Sequence, residues 1–129
     1  MTSTQAAAPY ALMIQTDGWF ELTDWTPTWT AAADSLSCQA VRPVALTGQL
    51  TMWVDEDAVP RGLPFNRPAV KVLRVFRAEA LPYFGSVLFT GRIDTAADRG
   101  AHGLTEDQAL ELIEQYLTRA AKIPQQRTR

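Results

Sequence analysis

A chain of 129 residues, 47% of them hydrophobic and 20% charged, has room for one core and enough apolar surface to build it. No apolar run reaches the ~18 residues that a membrane span requires, and a net charge of −2 offers no global attraction to DNA or to anionic membranes. The single cysteine, Cys38, excludes an internal disulfide and points to the cytoplasm.

Residues 1–8 are small and polar without periodicity and read as a disordered leader, with neither the basic nor the apolar region of a signal peptide. The run YALMIQT-DG-WFELTDW then predicts strands near 10–16 and 19–25 around an Asp17-Gly18 turn with positive φ at both central residues. Thr26-Pro27 reads as the cap and first turn of a short helix whose stripe is Trp29, Ala32, Ala33 and Leu36. A second hairpin is predicted around Thr47-Gly48. Its first strand is an edge or a bulged one, because Pro43 cannot donate to a ladder. In its second strand Leu50, Met52 and Val54 alternate with Thr51, Trp53 and Asp55, so that one face is buried and Trp53 makes the other amphipathic.

Residues 55–65 read as a loop. Asn66 caps the next helix, with Pro68 just inside it and Ala69, Val72, Leu73 and Phe76 as its apolar face. The run YFGSVLFTGRI has consecutive apolar residues, which suits an interior strand covered on both faces. A loop follows, and Thr105 with Gln108 three residues on forms a capping box. The helix that it starts carries Ala109, Ile113, Tyr116, Leu117 and Ala120 on one face. The order β-β-α-β-β-α-β-α predicts a single α+β domain over residues 9–123, a mainly antiparallel sheet of about five strands with three helices. Residues 124–129 read as a frayed basic tail.

Four segments, LTMWVDED at 50–57, GLPFNRPAVKVL at 62–73, GSVLFTG at 85–91 and GLTEDQ at 103–108, resemble a family of small uncharacterised domains (a domain of unknown function). The resemblance spans roughly residues 48–117 and fits the N-terminal hairpin and helix only loosely. It implies a setting in actinobacteria, phages and mobile elements. It brings no reaction, ligand or site residue to carry over.

Arg67, Lys71, Arg74 and Arg77 fall within about 120° of one helix face. Such a stripe is a solvated face, or it binds an acidic protein or nucleic acid. Asp55, Glu56 and Asp57, with Asp94 and Asp98, match no calcium-loop spacing and read as acidic turns. A thiol nucleophile needs a base within hydrogen-bond reach, and nothing local places Cys38 beside His102, so Cys38 reads as a small core residue and His102 as an exposed loop residue. One histidine and one cysteine are too few for a structural zinc site, and no catalytic set, metal or cofactor is expected. The chain has four tryptophans. Trp19 and Trp25 share one face of their strand, opposite Phe20 and Leu22. That strand is therefore covered on both sides or presents an interface, and Trp19, Trp25 and Trp53 are the interface candidates. The expectation is a non-enzymatic accessory protein acting through protein–protein contact or self-association. The alternative is a nucleic-acid-binding module using the 67–77 helix and the C-terminal tail.

Overall fold

The computed structural model describes residues 9–26, 28–76, 82–94 and 100–119. In chain order these form β1 (Tyr10–Ile14), β2 (Phe20–Asp24), α1 (Trp29–Leu36), β3 (Val41–Thr47), β4 (Leu50–Asp55), α2 (Arg67–Phe76) and β5 (Val87–Thr90). Then come β6 (Ile93–Asp94), β7 (Gly100–Ala101) and α3 (Glu106–Arg119). Five strands make one antiparallel sheet in the order β2-β1-β5-β4-β3, and a separate two-stranded ribbon pairs β6, at the end of the run expected to be one strand, with β7, in the stretch expected to be a loop. The expected leader and basic tail, with Arg77, Asp98 and Ala120, lie outside the described residues.

The last strand of the sheet inserts between the two hairpins. β5 pairs with β1 through Leu12↔Phe89 and with β4 through Met52↔Phe89, so both its neighbours come from far away in sequence. All four of its side chains are buried, as its unbroken apolar run requires. Leu12, Ile14, Met52, Val54, Val87 and Phe89 share one face with residues of α2 and α3. On the opposite face, Ala11, Trp53 and Leu88 pack with Trp25, with Ala32 and Leu36 of α1, and with Ala101 of the ribbon. Covering both faces buries all six residues of β4, including Trp53, so the amphipathic face expected there does not exist. No helix among the described residues is long and apolar enough to cross a membrane.

Local chemistry sets the boundaries. Gly18 N donates to Gln15 O at 3.0 Å and Gln15 N to Trp19 O at 2.8 Å. Gly18 alone has positive φ, +95°. The turn is therefore a three-residue one closed by a left-handed glycine, rather than the expected pair of positive-φ residues. The second hairpin turns at Gly48-Gln49, one residue later than expected, because a register shift between Ala45 and Thr47 pairs Thr47 with Leu50. The N-cap of α1 is Thr28, not Thr26: its side chain accepts from Ala31 N at 3.0 Å.

In α3 the capping box is reciprocal: Gln108 N donates to Thr105 Oγ1 at 3.1 Å and Thr105 N to Gln108 Oε1 at 2.8 Å. The buried stripe runs through Ala109, Leu112 and Tyr116, whereas Leu117, expected on it, is 47% exposed. Asn66 caps α2 by accepting from Ala69 N at 3.0 Å. It is fully buried, and its Nδ2 donates to Ile14 O at 3.0 Å and to Gly85 O at 2.9 Å. One amide thus ties a helix start to the end of β1 and to the approach to β5.

Candidate functional site

α2 is fastened by Asn66 and by four buried side chains, Ala69, Val70, Val72 and Leu73. That geometry turns Arg67, Lys71 and Arg74 to the outside, at the i, i+4 and i+7 positions of one stripe. At 1.5 Å of rise per residue the three cations span about 10 Å along the helix. Arg67 and Arg74 are exposed, and Lys71 is half-buried. With Phe65 and Val70 they line an open depression of about 440 Å³.

This stripe is electrostatically unfavourable for the helix alone. Arg67 is the first helical residue, where the macrodipole disfavours a cation, and the first turn carries no acidic residue. Like charges at i,i+3 and i,i+4 cost about 0.2–0.5 kcal/mol per pair. Among the described residues the one ion pair joins Arg61 to Asp55, so none of the three cations has a carboxylate partner there. Phe65 and Val70 occupy the two positions of a hydrophobic staple around the Asn66 cap. Phe65 is nevertheless 39% exposed, its ring edge-on to Phe84 at 5.8 Å. Sequence reasoning placed Phe65 in a loop and missed it; the staple spacing across the cap was the available signal.

The tryptophans separate. Trp53 is fully buried and its Nε1 donates to Thr90 Oγ1 at 2.9 Å. Trp25 is 8% exposed, donates to Ala101 O at 2.8 Å and lies 6.3 Å from the Trp53 ring. Both are core residues, because α1 and the β6–β7 ribbon cover that face, and neither is available to an interface. Trp19, preceding β2 and beyond that cover, is 62% exposed, with Leu22 at 39%.

A second open depression, of about 460 Å³, lies between the C-terminal end of α1 and the loop after β4. The Asp55 carboxylate, 3% exposed, accepts from Asp57 N at 2.8 Å through Oδ1 and pairs with Arg61 through Oδ2, so each oxygen has a partner. Cys38 Sγ donates to Ala40 O at 3.5 Å. Burial first, and then the charge of Asp55, raises its pKa above that of a free thiol. At neutral pH it is therefore protonated and a poor nucleophile. His102 is exposed and its ring Nε2 lies 3.4 Å from the Arg92 guanidinium, away from Cys38. Among the described residues no group of three or more His, Cys, Asp or Glu side chains is placed to hold a metal ion.

The family described as a domain of unknown function, DUF3846, matches residues 9–119, a span that includes the N-terminal hairpin and α1 as well as the segments that carried the sequence resemblance. No curated protein and no solved structure matches the chain significantly.

Proposed function

We propose a function from the chain's own surface, because it belongs to DUF3846, a family described only as a domain of unknown function. The reading is a non-enzymatic binding module that takes the backbone of a single-stranded nucleic acid along the outer face of α2. The observation that carries it is the stripe of three cations without carboxylate partners among the described residues, its first member Arg67 set against the helix dipole, beside an exposed aromatic ring. Phosphates would neutralise each cation and remove the repulsion along the helix, and Phe65 offers a ring on which a base can stack. A basic track with an aromatic platform is how single strands are bound without sequence readout. The protonated, hydrogen-bonded state of Cys38 supports binding over catalysis. An accessory role in a phage or mobile element, the setting implied by the sequence resemblance, is compatible with such a module.

Fluorescence anisotropy with a labelled oligothymidylate tests the reading. Single strands release counterions with a slope of about −0.7 per phosphate contact in a plot of log K against log salt. Three contacts give a slope of about −2, or roughly a 20-fold loss of affinity between about 50 and about 200 mM salt. The triple variant Arg67→Glu, Lys71→Glu, Arg74→Glu is expected to abolish binding. Wild-type affinity in that variant, or an equally tight complex with a Glu-rich peptide, overturns the nucleic-acid reading.

A further inference from the structure

The two edges of the main sheet are built differently. At the β3 edge, Ala40 O accepts from Glu56 N, so by alternation Ala40, Arg42 and Val44 bond towards β4 and Val41, Pro43 and Ala45 direct their backbone outward. Pro43 has no N–H to offer there, and the register shift after Ala45 interrupts the ladder just beyond it. Both are devices that blunt an edge. The β2 edge has neither. Trp25 N donates to Pro9 O at 2.7 Å, and Trp19 O accepts from Gln15 N. These bonds mark Trp19, Glu21, Thr23 and Trp25 as the residues that bond towards β1. Phe20, Leu22 and Asp24 therefore present N–H and C=O groups outward, and β2 has no second neighbour among the described strands.

We infer that β2 pairs antiparallel with β2 of a second copy about a two-fold axis at Leu22, joining two five-stranded sheets into one. This goes beyond the nucleic-acid reading and stands independently of it. The strand is self-complementary in that register. Leu22 meets Leu22, Phe20 meets Asp24, and Glu21 meets Thr23, so no carboxylate lies opposite another. A two-residue slip one way would set Glu21 against Glu21, which is destabilising, and the opposite slip would part the two Leu22 side chains. The three outward residues then form three hydrogen-bonded pairs, each exchanging two bonds. Leu22 and Trp19, among the large apolar side chains left exposed, lie beside the seam on opposite faces of the joined sheet. A strand of another protein would meet an edge carrying Glu21 and Asp24 without this match.

Sedimentation velocity on the full chain tests the inference. The expected result is a concentration-dependent dimer at protein concentrations on the order of 10–100 μM. Leu22→Pro removes an N–H that points away from β1 and so spares the monomer fold; it is expected to weaken dimerisation roughly tenfold or more. Leu22→Lys, which opposes two ammonium groups at the axis, is expected to do the same and provides a second reading if the proline variant fails to fold. Circular dichroism identifies which variants are folded. A wild-type chain that stays monomeric throughout, or a folded Leu22→Lys variant that dimerises like wild type, overturns the inference.

Discussion

Asn66 offers the sharpest test of how the fold is held. If it served only as the N-cap of α2, aspartate would replace it at little cost, since the two residues are about equal as caps. The Nδ2 group makes the difference, because it donates to Ile14 O and Gly85 O in a fully buried setting. In Asn66→Ala all three side-chain bonds are lost and three buried backbone groups are left short of a partner. At about 1 kcal/mol per lost bond, and more where a buried group stays unsatisfied, the expected loss is about 3–5 kcal/mol. Asn66→Asp keeps the bond from Ala69 N but turns its other carboxylate oxygen towards two carbonyls, and it is expected to lose about 3 kcal/mol or more at neutral pH. The carboxyl introduced there has a folded pKa raised above its unfolded value. Its neutral form is therefore favoured in the native state, and the loss shrinks as pH falls through that folded pKa. Urea unfolding of the three proteins at pH 7, repeated for the aspartate variant near pH 4, reads this directly. An aspartate variant within about 1 kcal/mol of wild type at pH 7 would show that the long-range donor role is wrong.

Glycine positions give a second contrast. A Cβ on Gly91 would lie 2.5 Å from the backbone oxygen of Gly103, whereas one on Gly48 meets nothing within 4 Å. Gly91→Ala is expected to cost more than about 2 kcal/mol and Gly48→Ala less than about 0.5 kcal/mol by thermal or urea melts. Thr105→Ala removes a reciprocal cap and is expected to cost about 1 kcal/mol, with Ser at that position restoring most of it. The Cys38 thiol has its pKa raised by burial and by Asp55, and lowered by Arg61. Its alkylation by iodoacetamide should therefore show a pH midpoint above that of a free cysteine. Asp55→Asn should move the midpoint down and speed alkylation at fixed pH, and Arg61→Gln should do the opposite.

Two of the helix caps were legible in the sequence, whereas the exact turns, the cap of α1 and the features made by crossovers were not. The Thr105–Gln108 box and the Asn66 cap are written within four residues, and both form. The order of strands and helices followed from periodicity and matches. The second role of Asn66 was hidden because its acceptors lie 52 and 19 residues away. The fate of the tryptophans was hidden for a similar reason. Alternation along β2 and β4 says which side chains share a face, but only the insertion of β5 and the placement of α1 and the ribbon decide which face is covered. The basic stripe on α2 was visible on a helical wheel, whereas the missing counter-ions and the exposed ring beside it needed the folded chain. The turn at Gly48-Gln49 moved by one residue because the bulge after Ala45 took up a position that a regular ladder would not.

Pro43 has a consequence for assembly size. A sheet whose two sides can both accept strands propagates, each added copy presenting a fresh edge, and the product is a fibre. Here β3 withholds a donor at the middle of its outer side and breaks its ladder soon after. In the inferred dimer, addition at β2 uses the edge of the main sheet that lacks these devices, and growth terminates after one step. A residue that looks like a flaw in a strand thus favours a closed pair over open-ended growth in that assembly.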